Sequence, residues 1–157
     1  MLNKQELIHN FETEVGITVR VLKAVPAGQF EFKPHEKSNS VKQLLVTFIG
    51  DIKMAELFAQ GVVPENTMAT IPEFESVEAG IELLNTELKQ FTATLNSISD
   101  EDLQQQFNTW GFEKTRGEFV LWLLFDHIHH RGQLSVCVRL AGGLVPSIYG
   151  PSADQGM

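Results

Sequence analysis

The chain of 157 residues sets 12 Lys and Arg against 20 Asp and Glu, a net charge of −8 with histidine neutral. Sequence-independent phosphate binding runs on clustered cationic side chains, and no such cluster is visible here, so nucleic acid is excluded as the expected partner. The longest apolar run, Phe119 to Phe125, is far short of the ~20 residues that span a bilayer, and the opening MLNKQEL has no apolar signal core, so a cytoplasmic protein with no membrane partner is expected.

At 43% hydrophobic residues the composition is that of one globular domain, residues 1–157. Cys137 is the single cysteine, which leaves no intrachain disulfide and restricts any metal site to His, Asp and Glu. Turn-forming residues at Val25 to Gly28, Gly61 to Pro72, Asn108 to Gly117 and Gly142-Gly143 divide the chain into helix-length blocks. The first helix, about 3–24, opens on Asn3 with Glu6 as its answering acid and carries Leu7, Phe11, Val15 and Leu22 at helical spacing. The second, about 40–60, starts from the capping box Ser40-Val41-Lys42-Gln43 ahead of Leu44, Leu45, Phe48, Ile52 and Ala55. The third, about 75–98, has one apolar seam of Val77, Ile81, Leu84, Leu88, Phe91 and Leu95. Ser99 then caps a short helix through about Gln106, and Thr115 with Glu118 caps the last long helix, about 117–141, followed by a tail, 142–157.

The first half of that last helix is apolar around most of its circumference, the pattern of an element surrounded by others. Four helices of similar length with one apolar face each make an all-α antiparallel four-helix bundle, the longer connections allowing a crossover. Each long helix holds one interior glycine, Gly16, Gly50, Gly80 and Gly132, which reads as close helix approach.

A polar stripe continues the apolar seam of the last helix. At 100° per residue, Asp126, His130, Gln133 and Cys137 lie within about 60° of each other, on the line begun by Phe119 and Trp122. Asp126 and His130, one turn apart, can bind one metal ion together or simply hydrogen-bond each other. His127 and His129 lie about +100° and −60° from Asp126, outside that stripe, which suits a surface or dimer-contact role. Cys137 reads as a small buried hydrophobe.

The run Asp126-His127-Ile128-His129-His130-Arg131-Gly132-Gln133-Leu134, then Arg139-Leu140-Ala141-Gly142-Gly143, then Val145-Pro146-Ser147-Ile148-Tyr149-Gly150, resembles the C-terminal signature of the DinB/YfiT-like superfamily. Phe32 to Ser38 and Ser40 to Leu45 resemble the entry to its second helix. The resemblance implies a four-helix bundle, commonly a homodimer, with a divalent metal held by one histidine of the second helix and an i, i+4 histidine pair of the last. It also implies relatives that transfer or use low-molecular-weight thiols. His130 matches the second histidine of the pair; Asp126 stands at the first, and Thr47 at the second-helix position.

A carboxylate is a competent ligand for Zn, Ni or Mn, whereas a threonine hydroxyl is a poor one. Asp51, one turn after Thr47 with Met54 and Phe58 on the same side, reads as a solvent-facing or salt-bridged acid or as a substitute ligand. The resulting expectation is a dimeric small-ligand binder with weak or absent metal, its pocket including Gln133, Cys137 and Trp122. The competing expectation is a divalent-metal-dependent thiol S-transferase or hydrolase acting on a small molecule.

Overall fold

The computed structural model describes residues 3–63 and 65–155; residues 1–2 and 156–157, at the ends of the expected domain and tail, and Pro64 in the second turn region lie outside the described residues. In chain order the elements are α1 (Lys4–Leu22), α2 (Val41–Ala59), a short 3-10 helix (Met68–Thr70), α3 (Val77–Ser97), a one-turn helix α4 (Asp100–Leu103), strands β1 (Gln106–Thr109) and β2 (Phe112–Thr115), and α5 (Arg116–Leu140). The four expected long helices are therefore present. Asn3 with Glu6, Ser40 with Gln43 and Thr115 with Glu118 each close a reciprocal capping box. Each side-chain cap satisfies a backbone N–H that has no helical partner and contributes about 1 kcal/mol.

In the bundle α1 and α2 each pack against both α3 and α5, so consecutive α1 and α2 sit on a diagonal. The start of α1 meets the end of α3, where the Lys4 amide donates to Asp100 at 2.8 Å and its ammonium to the Ile98 carbonyl at 2.6 Å; this pair is antiparallel. So are α2 and α5, with Phe48 beside His127 at 4.7 Å and Phe58 beside Phe119 at 5.2 Å. By contrast α2 and α3 run parallel: Lys53 pairs with Glu87 at 3.1 Å, and three residues further on Glu56 accepts from Thr94 at 2.7 Å. The ends of α1 and α5 also lie together, with Gly143 so close to the Ala24 carbonyl that a Cβ would not fit. The crossovers that long connections allow are thus realised, since both the α1 to α2 and α2 to α3 segments are long enough to travel along or across the bundle.

The core is centred on fully buried Phe11, Phe48, Phe58, Phe91 and Phe119. Close packing accounts for two of the four interior glycines that the sequence singles out. Gly50 lies against Met68 and Gly80 against Leu45 and Phe74, while Gly16 and Gly132 face open space.

Two expectations are corrected. The short helix ends at Leu103 instead of Gln106, and the turn-rich stretch after it is a hairpin whose register pairs Thr109 with Phe112. Its Trp110-Gly111 loop has φ of 52° and 78°, the positive values that a two-residue hairpin loop matched to strand twist requires. And α5 is not surrounded: Trp122 is 39% and Phe125 58% exposed, because α1 and α2 cover only part of its circumference.

Candidate ligand cavity between α2 and α5

Thr47, Asp51 and Met54 recur at i, i+4 and i+7, so they share the face of α2 that opposes Trp122, Leu123 and Asp126 of antiparallel α5. With Met68 from the 3-10 helix and Trp110 from the hairpin loop, they line a cavity of about 300 Å³. The Trp110 ring is held there by Phe58, 5.2 Å between centroids.

Asp51 is neither solvent-facing nor salt-bridged. It is 2% exposed, and its Oδ2 has no hydrogen-bond partner. Burial, and then the nearby charge of Asp126, push its carboxyl well above the ordinary carboxylate range. Asp126 is about half exposed and approaches His130 Nε2 at 3.5 Å. Thr47 donates its hydroxyl to the Gln43 carbonyl at 3.0 Å, a local bond that draws it back along its own helix.

The expected polar stripe divides at the Asp126–His130 contact. Trp122 and Asp126 belong to the cavity just described, whereas His130, Gln133 and Cys137 line a separate groove of about 490 Å³ against the segment before α2. Gln133 bridges His130 and His129, at 3.3 and 2.9 Å. Cys137 is buried, with its thiol pKa raised by desolvation, so the reading of it as a small hydrophobe holds.

A divalent metal fits this donor set poorly. Among the described residues no three His, Cys, Asp or Glu side chains are grouped to hold an ion. Asp126 and His130 are one short of the three protein ligands that an open catalytic zinc site needs, and the Thr47 proton is already placed on a carbonyl.

His127 departs most from the sequence reading. It is fully buried where α5 faces α1, not on the surface, and its Nε2 meets Thr18 Oγ1 at 2.8 Å. Thr18 also donates to the Glu14 carbonyl at 3.0 Å, so the arrangement that satisfies both contacts puts the imidazole proton on Nε2 and leaves Nδ1 as a bare acceptor. Burial, then Arg131 and His130, hold its pKa down to about 3.

Arg131, also unassigned by sequence reasoning, is 2% exposed. It donates to Glu14 Oε2 at 2.6 Å and to the hydroxyl of Tyr149, which in turn donates to the same carboxylate at 2.6 Å. The Arg-Gly-Gln and Tyr-Gly pieces of the sequence signature thus meet on α1, and Tyr149 fastens the tail to the bundle. An arginine in the buried arc of a central helix was the available signal.

A tryptophan in the left-handed region is a strained choice, costing roughly 1–2 kcal/mol. Its ring contact with Phe58 returns about 0.5–1.5 kcal/mol. Trp110→Asn is therefore expected to change stability by less than about 1 kcal/mol in urea unfolding, since the two terms nearly cancel. A loss above about 2 kcal/mol would mean that the ring is retained for core packing and not for the wall of the cavity.

The DinB family model matches residues 1–156. YrdA of Bacillus subtilis (strain 168), an uncharacterized protein, is 39% identical over 57 residues, 36% of this chain and 34% of its own, so the match spans about a third of that relative. Among solved structures, a DinB-like protein of Bacillus cereus aligns at TM-score 0.74 and 20% identity over 92% of this chain and 97% of that one. The DinB-like YjoA of Bacillus subtilis aligns at 0.71 and 20%, over 97% and 99%. The colibactin self-resistance protein ClbS, solved in complex with double-stranded DNA, aligns at 0.61 and 17% over 85% and 94%. At these identities the structural likeness is one of fold. With the family model covering nearly its whole length, the chain belongs to the DinB family.

Proposed function

We propose that this chain is a DinB-family small-ligand-binding protein whose α2–α5 cavity holds its ligand by carboxyl groups and aromatic rings, with weak metal affinity at Asp126 and His130. The observation that carries the reading is Asp51, a buried carboxyl lining the cavity with an unpartnered oxygen. A buried carboxyl is costly unless it is paired, and a polar group of a ligand in the cavity lowers that cost. The cavity volume, its apolar walls and its few polar groups are those of small-molecule sites. Dimerisation has a candidate face in the apolar side chains that α5 leaves exposed, Phe125, Val136 and Leu140.

The DNA complex of ClbS means that the fold itself is no bar to nucleic acid. Against it in this chain stands the net charge of −8, which repels phosphate. No helix among the described residues is long and apolar enough to cross a membrane.

The test is elemental analysis and thermal unfolding after incubation with Zn, Ni or Mn and gel filtration. Substoichiometric metal and an unchanged Tm are expected. Stoichiometric metal with a raised Tm, both lost in Asp126→Ala and His130→Ala, would replace this reading with a divalent-metal enzyme of the thiol-transferase or hydrolase kind.

A further inference from the structure

We propose that the ligand of the α2–α5 cavity is a small organic cation, its ammonium seated between Asp51 and Asp126 and its carbon skeleton against Trp110 and Trp122. This rests on the ligand-binding reading above and names the chemical class.

The titratable lining of the cavity is two carboxyl groups, with no lysine or arginine, and the remaining walls are thioether, indole and leucine side chains beside the Thr47 hydroxyl. An anion would face Asp126 with no basic side chain among the lining residues. A wholly apolar ligand would give the two carboxyl groups of the lining no polar partner. A divalent ion would lack a third protein ligand among the described residues. An ammonium supplies N–H donors to both carboxyls, and charge-assisted bonds of this type are about twice as strong as neutral ones. The indole faces add cation–π attraction, for which tryptophan is the best partner.

Three further features fit an occupant of this kind. Trp110 and Trp122 are partly exposed, so the aromatic walls reach solvent and offer an entrance. The Trp110 backbone is held at φ 52°, which keeps a large ring on the cavity at a loop position where Asn or Gly is the ordinary choice. His130, a basic-capable group 3.5 Å from Asp126, lines the neighbouring groove, and among the described residues no basic side chain lines the cavity itself.

The test uses three probes of similar shape, phenethylamine, phenethyl alcohol and phenylacetate, titrated into the full chain at neutral pH and read by tryptophan fluorescence and calorimetry. The amine is expected to bind about tenfold or more tighter than the alcohol, and phenylacetate not at all. Asp51→Asn and Asp126→Asn, each verified as folded by circular dichroism, are expected to reduce the amine-to-alcohol affinity ratio from about tenfold to about onefold. Equal binding of amine and alcohol would overturn the cation inference and leave the ligand-binding reading standing. Failure of all three probes, with stoichiometric Zn bound instead, would overturn both. An amine preference that survives both substitutions would also overturn the inference, because the attraction would then arise elsewhere.

Discussion

Acidification from pH 7 to pH 4 is expected to remove about 3 kcal/mol of stability through one residue, His127, at about 1.4 kcal/mol per pH unit. In the folded chain burial holds its imidazole down to about 3, against 6.5 for an unperturbed histidine. Between those values the unfolded chain binds the proton and the folded one does not. The contribution is therefore complete above pH 6.5 and is lost progressively as the pH falls toward 3. Asp51 works in the opposite direction: its raised pKa makes the folded state the better proton binder above the ordinary carboxylate range, so its contribution falls as the pH rises.

Because the two slopes oppose, the informative quantity is the difference between wild type and His127→Gln, which keeps a polar partner for Thr18 and has no titration. That difference, from urea unfolding at pH 7, 5.5 and 4, should move in favour of the variant by about 3 kcal/mol across the range. A difference constant with pH would remove His127 as the source of acid sensitivity.

Arg131→Met is expected to cost about 3 kcal/mol and to free the C-terminal tail. The guanidinium is buried and bonded to Glu14 and Tyr149, and removing one member of such a pair strands the other, at roughly 3–5 kcal/mol for full burial. Glu14 keeps 13% exposure, which places the estimate at the lower end. Tyr149→Phe deletes only the bridging hydroxyl and should cost about 1 kcal/mol. Denaturant unfolding gives the energies, and limited proteolysis within residues 142–155 reports the tail. A tail as protected in Arg131→Met as in wild type would show that Arg139 with Asp154, paired at 2.8 Å, is the fastening that matters.

The helices were legible because their signals are local. Capping residues and the 3.6-residue period act within one segment, and Ser40, Thr115 and the Leu84, Phe91 and Leu95 seam behave in the fold as their spacing requires. The hairpin was not, since Trp110 occupies a loop position normally marked by Asn or Asp and only Gly111 carried the signal. Angles on a helical wheel correctly put Asp126 and His130 within reach of each other, yet a wheel has no neighbours. It could not say that the stripe is parted between two cavities, nor that the direction of His127 leads into α1.

What the sequence alone determined is an acidic chain of four long helices, with Asp126 and His130 one turn apart on the last of them. The tertiary structure decided the burial of Asp51, the cavity that it lines together with Trp110 and Trp122, and the Glu14–Arg131–Tyr149 lock. The reason is physical. Each of these depends on which helices are neighbours and in which direction they run, and that is settled by long crossover connections whose paths leave no periodic trace in the chain.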